Sequence, residues 1–191
     1  MQKTKWLDNH ELFYAELKKG IQFQKILAQS LQIQGIEVDS PILGKELDSE
    51  DCSKEEFDSW MESRKDIKAS RKKFGLRDQD LLIGKSKILC ECKSRDIKFI
   101  DVDSFPYADI FIDTVSGYEK KQDKPKYTFC ISQKTNAIIF TETDPSQKDK
   151  WEKKYIFDKK RGIRELNYSA PKALWKNFSE FKYIFIDKIE N

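Results

Sequence analysis

Histidine is almost missing from this chain: His10 stands alone among 191 residues. The four cysteines, Cys52, Cys90, Cys92 and Cys130, form neither a C-x-x-C pair nor a disulfide-rich spacing. A structural zinc site is therefore poorly supplied with ligands, and buried free thiols are the expected state of the cysteines. No run approaches the roughly 18 apolar residues of a membrane span. The opening "MQKTKWLDNHELF" contains no apolar signal-peptide core. Internal repeats, low-complexity tracts and domain linkers are also missing. These absences lead us to expect an intracellular, cytoplasmic protein with no membrane partner, folded as one domain over 1–191.

Charge and aromatic rings are abundant. Charged residues make up 36% of the chain and aromatics 13%, which is too aromatic for general disorder. The net charge of +3 hides a local asymmetry. Residues 46–62, "ELDSEDCSKEEFDSWME", are strongly acidic, and residues 64–73, "RKDIKASRKK", are strongly basic. Both read first as solvated faces. The acidic stretch also admits a protein-interaction role, in which it mimics a phosphate backbone or covers a basic cleft.

The periodicity predicts a long first helix over 8–34, capped by Asp8 or Asn9 and ended by Gly35, with Gly20 interrupting it. "GIEV" reads as a turn and a short strand. From Asp80 the period becomes two. "DLLIG" and "KILCECKS" read as a hairpin turned through Gly84-Lys85-Ser86, "ADIFIDTV" as a strand, and "VSGYEKKQDKP" as a short helix or loop. "KYTFCIS" and "AIIFTE" form a further pair. A helix is expected near Pro171, and "YIFIDKI" is expected to close the chain as a strand.

Strand alternation places Glu91 and Lys93 on one face, with Cys90 and Cys92 on the other. Asp80 begins the preceding strand, so pairing through the Gly84 turn brings it back beside Glu91. Two carboxylates can hold Mg²⁺ or Mn²⁺, hard ions that prefer oxygen ligands. The metal polarises a phosphate and lowers the pKa of bound water. Lys93 can orient that water or offset charge building on phosphorus, and Arg95 can reach a flanking phosphate. The structural alternative is a surface Glu–Lys pair of little energetic consequence.

This arrangement, D-(x10)-E-x-K with the E-x-K in an apolar strand after a hairpin and a long helix in front, resembles the core motif of the PD-(D/E)XK nuclease superfamily. That group includes restriction endonucleases, Holliday-junction resolvases, and phage and repair exonucleases. The resemblance covers about residues 11–141 and leaves 142–191 as a basic C-terminal extension. The block "SFPYADIFIDTVSGYEKK…KPKYTFCISQKTNAIIF" looks like phage and prophage members. The resemblance implies an α/β (α+β) fold with a restriction-endonuclease-like core: a long N-terminal helix followed by a mixed β-sheet flanked by helices. It implies an Mg²⁺- (or Mn²⁺-) dependent deoxyribonuclease, endo or exo, with Asp80 and Glu91 as metal ligands and Lys93 as the catalytic lysine. It also implies a further ligand from the Cys92 backbone carbonyl and an acid from the first helix. Glu16 is favoured for that acid, with Glu11 and Gln24 open, and Asp78 is an alternative to Asp80. Gln79 replaces the motif's proline.

Nucleic acid has a second expected contact. Residues 150–176 carry nine basic residues against three acids, interleaved with Trp151, Tyr155, Tyr168 and Trp175. Basic plus aromatic composition suits a backbone-gripping surface, although for each ring a place in the core is the stronger reading. Lys159, Lys160, Arg161 and Arg164, in "DKKRGIRE", are the candidate phosphate contacts. DNA is the expected partner ahead of RNA. A homodimer is left open, because cutting two strands takes two active sites. The rival function is a non-catalytic nucleic-acid-binding protein on the same fold.

Overall fold

The structure, a computed structural model, describes residues 3–40, 53–62, 81–158 and 162–189. It is a mixed α/β protein built around a mixed sheet. In chain order the elements are α1 (Lys3–Ile33), β1 (Val38–Asp39), α2 (Lys54–Glu62), β2 (Leu81–Ile83), β3 (Ile88–Arg95) and β4 (Asp109–Thr114). They continue with α3 (Val115–Lys120), β5 (Tyr127–Ser132), β6 (Ile138–Glu142), β7 (Glu152–Asp158), β8 (Ile163–Pro171), β9 (Lys176–Asn177) and α4 (Phe181–Ile189). No described helix is long and apolar enough to cross a membrane.

Six strands form the central sheet in the order β1-β2-β3-β5-β6-β9, and three form a second sheet in the order β4-β8-β7. β2 and β3 are an antiparallel hairpin with Leu81 opposite Cys90. Its turn needs left-handed backbone at Gly84 (φ 67°) and at Lys87 (φ 51°). β3 then runs parallel to β5, with Glu91 beside Thr128 and Lys93 beside Cys130. A parallel pair requires a crossover connection. Here the crossover carries β4 and α3, and it lays both over one face of the sheet.

The central sheet separates two cores. On one face Leu27, Ala28 and Leu31 of α1 and Phe181 and Phe185 of α4 pack against Cys90, Phe129 and Ile131. On the other face Cys130 and Ile139 meet Ile110, Ile112, Tyr118, Tyr168 and Trp175. Along β5, alternate residues serve alternate cores, as the two-residue period of a strand demands.

Four sequence expectations are corrected. Gly20 does not interrupt α1, which is continuous from Lys3 to Ile33. α1 begins at Lys3, so Asp8 and Asn9 lie inside the helix and do not cap it. Its other end does follow the sequence: Gly35 is left-handed (φ 80°), and the Ile36 amide donates to the Leu31 carbonyl at 3.0 Å. The region after Pro171 forms only a 3-10 turn, Lys172–Leu174, before β9. "YIFIDKI" is not a strand but lies within helix α4. A strand would put Tyr183 and Phe185 on one side, yet Tyr183 is 70% exposed while Phe185 is buried. Helical spacing instead brings Phe181 and Phe185 onto the core together. The Asn177–Glu180 capping box starts the turn that leads into this helix.

Candidate active site

Glu91 and Lys93 lie on the β3 face opposite Cys90, and the crossover supplies two residues that complete their surroundings. Lys93 Nζ lies 2.8 Å from Glu91 Oε1 and 3.1 Å from Asp113 Oδ1. Lys121 Nζ lies 2.5 Å from Glu91 Oε2 and 2.7 Å from Asp113 Oδ2. Two carboxylates and two ammonium groups thus close a ring. Its side chains keep only 8–24% of their exposure, least at Lys121 and most at Lys93.

Local sequence explains how Asp113 and Lys121 arrive. A register shift between Phe111 and Asp113 interrupts the β4–β8 pairing. Bulges of this kind re-aim side chains. Thr114 then caps α3, its Oγ1 accepting from the Gly117 amide at 2.9 Å. Asp113 Oδ1 accepts from the Thr114 amide at 2.9 Å. Gly117 is required here, because a Cβ would come within 2.6 Å of Thr114 Oγ1 and 3.3 Å of Asp113 Oδ1. Tyr118 anchors α3 by burying its ring edge-on to Trp151 and Tyr168 and donating to the Thr143 carbonyl. The Lys121 amide closes the helix on the Tyr118 carbonyl at 3.2 Å.

Burial by itself would raise the Glu91 carboxyl. The charge of Lys93, followed by that of Lys121, more than reverses this and holds it below its ordinary range. Asp113 is lowered by the same balance of burial against Lys93 and Lys121. For Lys93, burial pulls downward, but Glu91 and Asp113 prevail and raise it. At neutral pH Glu91, Asp113 and Lys93 are therefore all charged. Lys93 has no free pair with which to accept a proton.

The sequence-named residues fall into distinct places. Arg95 is half-buried at the end of β3, two residues beyond Lys93. Gln24 is buried on α1, one turn before Leu27 and Ala28, on the helix side that packs toward the Cys90 face and away from Glu91. Glu11 and Glu16 belong to α1, with their side chains outside the described residues. Asp78, Asp80, Lys159, Lys160 and Arg161 also lie outside them. Cys92 pairs with Phe129 within the sheet. Arg164 is exposed on β8. Sequence reasoning gave no role to Asp113 or Lys121. The available signal was the acid ending an apolar strand directly before a Thr cap, but only the crossover shows where that acid goes.

Both carboxylates direct an oxygen at one point, which Lys121 Nζ now fills. Converging carboxylate oxygens are the donor type that suits a hard divalent cation. Among the described residues no three His, Cys, Asp or Glu side chains converge into a fuller set. Comparison of the chain with family models, curated proteins and solved structures returned no match in any of the three.

Proposed function

We propose that the protein is a metal-dependent nuclease that hydrolyses DNA phosphodiester bonds on a restriction-endonuclease-like core. The observation carrying this reading is the convergence of Glu91 and Asp113 on the point that the Lys121 ammonium fills, with Lys93 beside it. The E-x-K strand of a hairpin, running parallel to the next strand through a crossover, supports it further. Glu91 and Asp113 would hold Mg²⁺, with Asp80, one residue before Leu81 in the chain, and the Cys92 carbonyl as further candidate donors. Bound Mg²⁺ supplies Lewis acidity and a water of lowered pKa. Lys93 remains an ammonium and offsets negative charge developing on the transferred phosphoryl oxygens. A metal held there takes the place of the Lys121 ammonium between the two carboxylates, and Arg95 meets the neighbouring phosphate.

The test is cleavage of single-stranded, duplex and branched DNA with Mg²⁺ or Mn²⁺. Glu91→Gln, Asp113→Asn and Lys93→Met should each reduce the rate roughly a hundredfold, the loss typical of removing one group that stabilises transition-state charge. Cleavage undiminished by Glu91→Ala or Lys93→Ala would sink the reading.

One observation favours a second reading. All four oxygens of Glu91 and Asp113 are already paired with lysine, so the ring is satisfied as it stands. On that reading the fold binds nucleic acid without cutting it, and the binding weakens steeply with salt.

A further inference from the structure

The β7–β8 hairpin sorts its residues between two faces. Its register pairs Lys153 with Tyr168, Tyr155 with Leu166 and Phe157 with Arg164, so these six side chains share one face. The acids Glu152 and Glu165 stand at the alternate positions, opposite Ser169 and Ile156. Lys154 also belongs to that second face, where Asp109 and Glu152 hold it at 2.7 and 2.9 Å. The first face therefore combines aromatic rings with positive charge, and Glu152 and Glu165 fall behind it.

Two of those rings are exposed. Tyr155 keeps 64% of its surface and Phe157 keeps 58%. They are neighbours on one strand face, about 7 Å apart along β7. Arg164 lies over the Tyr155 ring at 5.6 Å, and Lys153 lies over Tyr168 at 5.7 Å. Where a ring is buried the pattern differs: Tyr168 packs against Tyr118 and Trp151 and serves the core. Tyr155 and Phe157 do not serve it, and their apolar surface is open to a ligand that would bury it.

Strand β8 joins this platform to the candidate active site, the face itself passing into the core at Tyr168. Asp113 pairs with Tyr168 across β4 and β8. Leu166 and Arg164 follow at alternate positions on β8, so Arg164 lies about 13 Å along the strand from the Asp113 pairing.

We propose that this face binds unpaired nucleotides of single-stranded DNA, stacking bases on Tyr155 and Phe157 and setting a phosphate against Arg164, on the same strand, β8, that pairs with Asp113. Duplex DNA hides its base faces within the stack, so two exposed rings are of use only to a single strand or a frayed end. The positive charge on this face complements the phosphate backbone. The proposal rests on the nucleic-acid reading above and assigns it a substrate class.

Binding of a short fluorescein-labelled oligothymidylate, followed by anisotropy in EDTA, tests the proposal without cleavage. The wild-type protein should bind it more tightly than a duplex of the same length. Each of Tyr155→Ala and Phe157→Ala should weaken binding about tenfold, the value of one base–aromatic stack. Tyr155→Phe should bind like wild type, and melting curves of all variants should match because both rings are exposed. Unchanged affinity in the Tyr155→Ala, Phe157→Ala double variant would overturn the proposal. So would equal binding of the duplex. A wild-type dimer that this double variant turns into a monomer would also overturn it, since a second copy of the chain would then cover the rings. The two readings fail separately. Stacking-dependent binding with no cleavage in Mg²⁺ removes the nuclease alone. Cleavage with undiminished binding in the double variant removes the platform alone.

Discussion

At the scale of residues, the four-charge ring behaves as one unit. Removing one member leaves a partly buried charge without its counter-ion, which is costlier than the pair is favourable. Asp113→Asn should lower the free energy of unfolding by about 2–3 kcal/mol, below the usual cost of breaking a fully buried pair because water still reaches the ring. Asp113→Asn combined with Lys121→Met should cost less than the two changes summed, and urea titrations of the single and double variants measure that coupling. The pH dependence has a definite sign. Glu91 and Asp113 are held below the ordinary carboxylate range, so their contribution is complete above about pH 4 and fades as pH falls through their lowered folded values. Lys93 is raised, so its contribution is complete below about pH 10 and fades as pH rises through its folded value. The stability difference between wild type and Asp113→Asn should therefore be flat from about pH 5 to about pH 9 and shrink in acid. A difference that grows as pH falls below about 4 would contradict the assigned directions.

At the scale of elements, two short pieces carry more than their length suggests. α3 spans only Val115–Lys120, yet it fixes both Asp113, through the Thr114 cap, and Lys121, at its end. Gly117→Ala should disturb this junction, since its new methyl meets Thr114 Oγ1 at 2.6 Å. We expect a loss of about 1–3 kcal/mol, as for other overpacked sites. Gly20→Ala, with nothing within 4 Å, serves as the control. α4 is held by Phe181, which is fully buried among Phe129, Phe140 and Tyr127. Phe181→Ala should cost about 3–5 kcal/mol in a thermal or urea melt. A cost below about 1 kcal/mol would mean that α4 is not part of the core.

At the scale of the whole molecule, the central sheet joins two cores, and the cysteines report on both. Cys90 belongs to the core beneath α1 and α4, and Cys130 to the core beneath the second sheet. All three described thiols are free, and burial pushes each upward, Cys130 to about 11. Thiolate attack is therefore suppressed while the fold is intact. In a Cys52→Ser variant, the buried thiols of Cys90 and Cys130 should react with a disulfide reagent only as fast as the protein opens. Cys90 and Cys130 should react at one common rate if the two cores unfold together. Two separate rates would show that one core opens alone.

The sequence by itself determined the local pieces: the β2–β3 hairpin with its left-handed Gly84, the Gly35 end of α1, and the opposite faces taken by Glu91 and Cys90. Each follows from neighbouring residues, through backbone sterics or the two-residue period of a strand. Tertiary structure decided the partners. Asp113 and Lys121 lie 22 and 30 positions beyond Glu91, and only the crossover onto β5 brings their charges within 3.1 Å of the E-x-K pair. It also decided that "YIFIDKI" is helical, because its apolar run fits either period and the core selects the one that buries Phe181 and Phe185 together. Periodicity states which residues share a face, and long-range packing chooses what that face meets.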